Sequence, residues 1–147
     1  MKMILSLLAL ALSTSAFSCT DFSGEYLDSY DGTYYSIAQN GCESIEYIYD
    51  EGSMTFPADG VEYLVSSNEI VVEEGKVLAV IDIYESNKFE GAKLIATNRI
   101  ETSYTSGDHE TEKFWEESFL DSKKDLISIA HYEDGSIEKS LSRRVSK

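Results

Sequence analysis

The chain has 147 residues, with 27 aspartates and glutamates against 12 lysines and arginines, 42% hydrophobic residues, ten tyrosines, one proline and two cysteines. That length suits one domain, and a formal charge of -15 excludes a nucleic-acid reader working through a basic face, because phosphate binding needs clustered lysines and arginines. The same charge argues against docking on an anionic membrane, and the aromatic and β-branched content excludes a disordered chain.

Met1-Lys2 is a short basic start, Met3 to Leu12 is apolar apart from Ser6, and Ser13 to Ser15 are small and polar. This is the pattern of a secretory signal peptide, and the run is too short to span a membrane, which needs about 20 apolar residues. Ala16 and Ser18 are small residues at the -3 and -1 positions of a cut before Cys19. The expectation is therefore a signal peptide over 1–18, a single domain over 19–147, no transmembrane segment, and an exported protein, periplasmic or extracellular. Lipidation of Cys19 is the alternative, disfavoured by the bulky Phe17 in the position where a lipobox wants a small residue.

From Cys19 to Glu74 there is no lysine or arginine but 13 acidic residues, while Lys139, Arg143, Arg144 and Lys147 crowd the last nine positions. The acidic stretch reads as a solvated outer face, with a basic protein partner as the other reading. In an oxidising compartment Cys19 and Cys42 are expected to pair. Positions 19 to 42 number 24 inclusive, and closing such a loop contributes about 3 kcal/mol.

The predicted elements are strands over 22–28, 33–39, 42–49, 53–57, 61–66, 69–73, 76–86, 93–104, 112–120, 125–133 and 136–145, with short neighbours merging to leave eight to ten. Turn signals separate them: Asp31-Gly32, Asn40-Gly41, Glu51-Gly52, Asp59-Gly60, Glu74-Gly75, Glu90-Gly91, Ser106-Gly107 and Asp134-Gly135. These dipeptides tolerate the positive φ angles that tight hairpins demand. Alternation sets faces: Tyr35, Ile37 and Gln39 share one, as do Ile45, Tyr47 and Tyr49, and Leu94, Ala96, Asn98 and Ile100. Val77 to Tyr84 is apolar on both faces apart from Asp82, which suggests packing on both sides or a dimer contact. No window carries a sustained helical period. The expected fold is an all-β, up-and-down antiparallel barrel of about eight to ten strands, with its first and last strands adjacent; a β-sandwich is the alternative. An open sheet would expose two edges and an apolar face, and closure removes the edges and buries the face.

Chemistry-bearing patterns are sparse. His109 sits at a polar hairpin tip and His131 within a strand, neither at a metal-ligand spacing, and no nucleophile elbow or phosphate-binding glycine loop occurs. Asp28 to Gly32 and Glu133 to Gly135 carry oxygen ligands near turns, but hairpin chemistry accounts for both. No catalytic, metal or cofactor-binding residue is expected. The tyrosines are more informative: Tyr35, Tyr47, Tyr49 and Tyr104 fall on strands where an apolar body and a polar tip could line a cavity for a small apolar or amphipathic ligand. Simple core packing would use the same residues.

Gly24 and Tyr26 open the first strand, and Arg143-Arg144 lie on the last. This resembles the calycin pattern of lipocalins and their relatives, in which a Gly-x-Trp on the first strand packs beneath an arginine from the last. The resemblance implies that Gly24, Tyr26 and Arg143 close one barrel end, with Arg143 chosen because it shares a face with Ile137, Leu141 and Val145. The functional expectation is a non-enzymatic exported barrel holding a small hydrophobic or amphipathic ligand. Its alternative is a structural or inhibitor-like interaction module with a filled core and an acidic binding face.

Overall fold

A computed structural model describes residues 18–72 and 75–145. The expected signal peptide lies outside the described residues except for Ser18. Ten strands follow one another: β1 (Gly24–Asp28), β2 (Tyr34–Asn40), β3 (Ser44–Tyr49), β4 (Gly52–Pro57), β5 (Tyr63–Val72), β6 (Lys76–Glu90), β7 (Lys93–Tyr104), β8 (His109–Leu120), β9 (Leu126–Tyr132) and β10 (Ile137–Arg144). All pair antiparallel in one sheet, ordered β4-β3-β2-β1-β10-β9-β8-β7-β6-β5. Every neighbour is a sequence neighbour except β1 and β10, whose pairing joins the two ends of the described chain through Tyr26↔Arg144 and Asp28↔Ser142. The architecture is therefore all-β and up-and-down, strongly curled into half of a barrel, with β4 and β5 as its edges.

The tight turns do what their dipeptides require. Gly91, between β6 and β7, sits at φ 60°, a left-handed conformation that a side chain resists. The segments 61–66 and 69–73 are among the short neighbours that merge: β5 pairs with β6 without a break from Ser66 to Ile70, and its two register shifts lie at Leu64/Ser66 and Ile70/Val71. Such bulges bend a strand without breaking it. The link from β4 to β5 folds onto β6, where Gly60 N–H donates to the Asn87 carbonyl at 2.8 Å and Asp59 bridges to Lys88. Of the apolar stretch Val77 to Tyr84, Ala79 is buried on the concave side while Leu78 is exposed on the convex side.

One end of the half-barrel is packed solid. Phe22 and Tyr26 are fully buried there with Ile37, Ile45, Leu94 and Leu126, and Phe56, Phe89 and Leu120 lie against them. Phe22 belongs to the strap before β1, which is tied down in two ways. The disulfide Cys19–Cys42 holds it with a Cα separation of 5.6 Å, inside the range the bond wants. Flat-sheet spacing would leave these positions about 10 Å apart, two strand spacings, so the strap has to fold back. Gln39 makes it do so: its amide donates to the carbonyls of Thr20 (3.0 Å) and Gly41 (2.7 Å), and its oxygen accepts from Phe22 N–H at 2.9 Å.

The closing arginine is Arg144, not Arg143. The Arg144 guanidinium lies 5.8 Å from the Tyr26 ring centroid and donates to the Ser23 carbonyl at 2.5 Å, and its backbone N–H donates to Asp125 Oδ1 at 2.9 Å. A Cβ on Gly24 would stand 2.8 Å from Arg144 Nη2, so glycine makes room for the guanidinium. Arg143 pairs with Leu27 on the convex side and is exposed. The register is displaced by one because the concave face of β10 is polar, with Ser140 and Ser142 inward and Leu141 outward, the reverse of what a filled apolar barrel would have. Among the described residues no helix is long and apolar enough to cross a membrane.

Candidate functional site: a cavity on the concave face

Above the packed end the concave side opens into a cavity of about 620 Å³. Leu94 and Leu126, whose far sides pack into the core, form its floor with Phe56. One wall is aromatic: Tyr35 on β2 and Tyr47 and Tyr49 on β3, with Tyr35 stacked on Tyr49 at 5.7 Å between centroids and Tyr47 edge-on to Phe56 at 6.0 Å. The facing wall is polar: Glu85 and Asn87 on β6, Asn98 on β7, Glu116 and Ser118 on β8, and Ser128 on β9, with the Phe114 ring among them. These positions share a face because the strands are paired in register: Glu85 opposes Asn98, Ala96 opposes Glu116, and Ser118 opposes Ser128.

The polar wall is held by neutral partners. Asn87 Nδ2 donates to Glu85 Oε1 at 2.7 Å, the Ser118 hydroxyl donates to Glu116 Oε1 at 3.3 Å, and the Ser118 and Ser128 hydroxyls stand 2.7 Å apart. Burial pushes the Glu85 carboxyl above the ordinary glutamate range, with the Asn87 amide opposing and the Glu116 charge adding to the rise. Burial likewise pushes the Tyr35 phenol up to about 12 and the Tyr47 phenol higher still. At least two of the ten tyrosines are thus expected to stay un-ionised at about pH 11, a unit above the ordinary phenol. Absorbance titration near 295 nm checks this; ten phenols ionising together below that pH, with the sheet intact, would contradict it.

The raised Glu85 value also sets a pH dependence. The folded chain keeps this proton to higher pH than the unfolded chain, so the stability it contributes is fullest below the ordinary value of 4.5 and falls as pH rises through the raised one. Glu85→Gln is therefore expected to be more stable than the parent at pH 7, with the gain shrinking away by about pH 3.5, where both forms are neutral. Urea midpoints at the two pH values measure it, and a variant less stable at pH 7 would contradict the assignment.

Of the four tyrosines expected to line a cavity, Tyr35, Tyr47 and Tyr49 do so. Tyr104 is a correction: it ends β7, pairs with Ala79 and donates to Glu110 at 3.1 Å, outside the cavity lining. The long β6–β7 hairpin overhangs the shorter β1–β3 strands, and Tyr104 rides on the overhang. Glu85, Asn87, Glu116, Ser118 and Ser128 escaped the reading of the sequence, although the alternation that places Leu94, Ala96 and Asn98 on one face would have reached Glu116 through pairing.

His131 lies on the convex side, stacked on Trp115 at 3.7 Å between centroids, with Nε2 3.6 Å from Glu117. His109 Nδ1 meets the Ser103 hydroxyl at 3.1 Å. The turn acids serve the backbone: Asp28 accepts from Tyr30 N–H at 2.7 Å and Asp134 from Ser136 N–H at 2.8 Å. Among the described residues no group of three or more histidines, cysteines or acids is placed to hold a metal ion. No protein-family model, curated protein or solved structure matches the chain.

Proposed function

We propose that the chain is an exported, non-enzymatic binding protein of calycin-like design that holds a small amphipathic molecule in the concave cavity. The observation that carries the reading is the cavity itself: 620 Å³ falls within the ~300 to 1,000 Å³ typical of small-molecule sites. An apolar floor beside tyrosine and amide walls suits a molecule with one greasy and one polar end. The packing of Arg144 over Tyr26 beside Gly24 supports the calycin-like part of the reading, and the disulfide supports export.

Ala96, on the cavity lining, is the place to test it. Titration with the neutral fluorophore Nile red is expected to show saturable binding to the parent, and Ala96→Phe, which fills the space, to weaken it on the order of tenfold, about 1.4 kcal/mol. Equal binding by both proteins, or none by the parent, would overturn the reading.

A further inference from the structure

The sheet has two free edges, and they are built differently. β4 has six residues, carries Pro57 at its end and gives way to a link that folds onto β6; a short edge strand ending in proline resists pairing with another chain. β5 is ten residues long, has no proline or lysine and carries one charge, Glu69, on a chain of formal charge -15. Among the described residues it pairs with β6 alone, and none of its residues makes a backbone hydrogen bond outside that pairing. A row of backbone donors and acceptors therefore lies open along it, and a second extended strand satisfies such a row.

The order of residues along β5 says which strand fits. It is close to symmetric about Asn68: Leu64-Val65 and Val71-Val72 are the apolar ends, with Ser66-Ser67 before the centre and Glu69-Ile70 after it. Leu64, Ile70, Val71 and Val72 are exposed, and so is Leu78, the β6 residue that the bulge at Ile70/Val71 skips. An antiparallel strand and its own copy are related by a two-fold axis. With that axis through Asn68, Ser67 of each copy stands opposite Glu69 of the other, Ser66 stands opposite Ile70, and apolar ends meet apolar ends, so no like charges are directly opposed. The bulges lie at the ends of the run Ser66 to Ile70, so the middle of the edge keeps the regular spacing that a second strand needs.

We infer that the β5 edge takes a second copy of this chain, the two β5 strands pairing antiparallel about a two-fold axis at Asn68 and joining two ten-stranded sheets edge to edge. The charge pattern favours a copy over a basic partner: one charge in ten residues gives a cation little to hold, whereas two chains of charge -15 repel least where each is nearly neutral. The Ser67 hydroxyl donates to Asp82 Oδ1 at 2.6 Å, so the axis gathers Glu69 and Asp82 of both copies on the convex side, and screening of their repulsion makes the pairing tighten with salt. No β5 residue lines the cavity, so this inference stands apart from the binding reading.

Sedimentation equilibrium of the oxidised protein over a dilution series, at about 0.15 M salt, tests it, with a monomer–dimer equilibrium as the expected result. Ser67→Glu sets like charges opposite Glu69 at two symmetric places and is expected to weaken the dimer on the order of tenfold; Ser67→Lys makes two opposite-charge pairs there and is expected to tighten it on the order of tenfold. The same charge changes at Thr97, exposed on the convex side of β7, should alter it less than about twofold, since exposed charges are screened beyond about 8 Å at that ionic strength. Hydrogen exchange reads the edge in the parent alone: raising its concentration should slow amides of β5 and leave those of β4 as they were. A parent that stays monomeric, assembly beyond a dimer, slowed amides on β4 instead of β5, or equal effects at Ser67 and Thr97 would each overturn the inference.

Discussion

Replacing Cys19 and Cys42 together with serine is expected to lower the free energy of unfolding by about 3 kcal/mol, the loop-closure value for a bridge of this span, and to lower the melting temperature by about 10 °C for a domain of this size. The loss comes chiefly from the unfolded chain, which gains freedom when the loop opens, because the folded strap keeps other anchors. Phe22 stays fully buried in the packed end, and Gln39 still reaches Thr20, Gly41 and Phe22. The serine variant should therefore keep its near-ultraviolet dichroism and show a larger urea m-value, since the unfolded state exposes more surface. A loss under about 1 kcal/mol would mean that the strap is held by Phe22 and Gln39 alone, and a collapsed dichroism signal would mean that the bridge positions the strap rather than merely restricting the unfolded chain.

Arg144→Ala is expected to cost about 1 to 3 kcal/mol, from lost packing on Tyr26 and an orphaned Ser23 carbonyl. Arg143→Ala, on the exposed convex side, is expected to cost under about 0.5 kcal/mol. Arg144→Lys should recover less than half of the loss, because an ammonium keeps the charge but lacks the planar fork that covers a ring and donates sideways at once. Gly24→Ala would push against the same guanidinium from below, since its Cβ would stand 2.8 Å from Nη2. Chemical denaturation of the arginine variants decides the register. Equal small losses would mean that neither side chain closes this end.

The strand layout was legible because hairpin chemistry is local. Asn40-Gly41, Glu90-Gly91 and Asp134-Gly135 each mark a turn that the structure places between strands, and no medium-range packing has to be known to see it. The face of each strand is another matter. On β2, β3 and β7 the apolar residues of the alternation face the core end or the cavity, and Tyr35, Tyr47, Tyr49 and Leu94 follow from it. On β9 and β10 the cavity needs polar walls, so Ser128, Ser140 and Ser142 turn inward while Ile127, Ile129 and Leu141 take the convex side. A rule that sends apolar residues inward fails where the inside is wet, and the choice of Arg143 over Arg144 is that failure at a single residue. The acidic wall was hidden for the same reason. Among 27 acids, nothing local separates Glu85 and Glu116 from the solvated majority, and only the cross-strand register through Asn98 and Ala96 brings them to one cavity.

The most direct test of the binding cavity is a two-dimensional amide NMR titration of the oxidised protein with 1-octanol, which carries no charge and so probes the cavity apart from its electrostatics. Shifts are expected to saturate and to concentrate on Tyr35, Tyr47, Leu94, Asn98, Glu116 and Ser128, the floor and walls of the cavity, with Trp115, Ile127, Ile129 and His131 on the convex face unmoved. Shifts confined to the convex face, or none up to the solubility limit of the alcohol, would contradict the account.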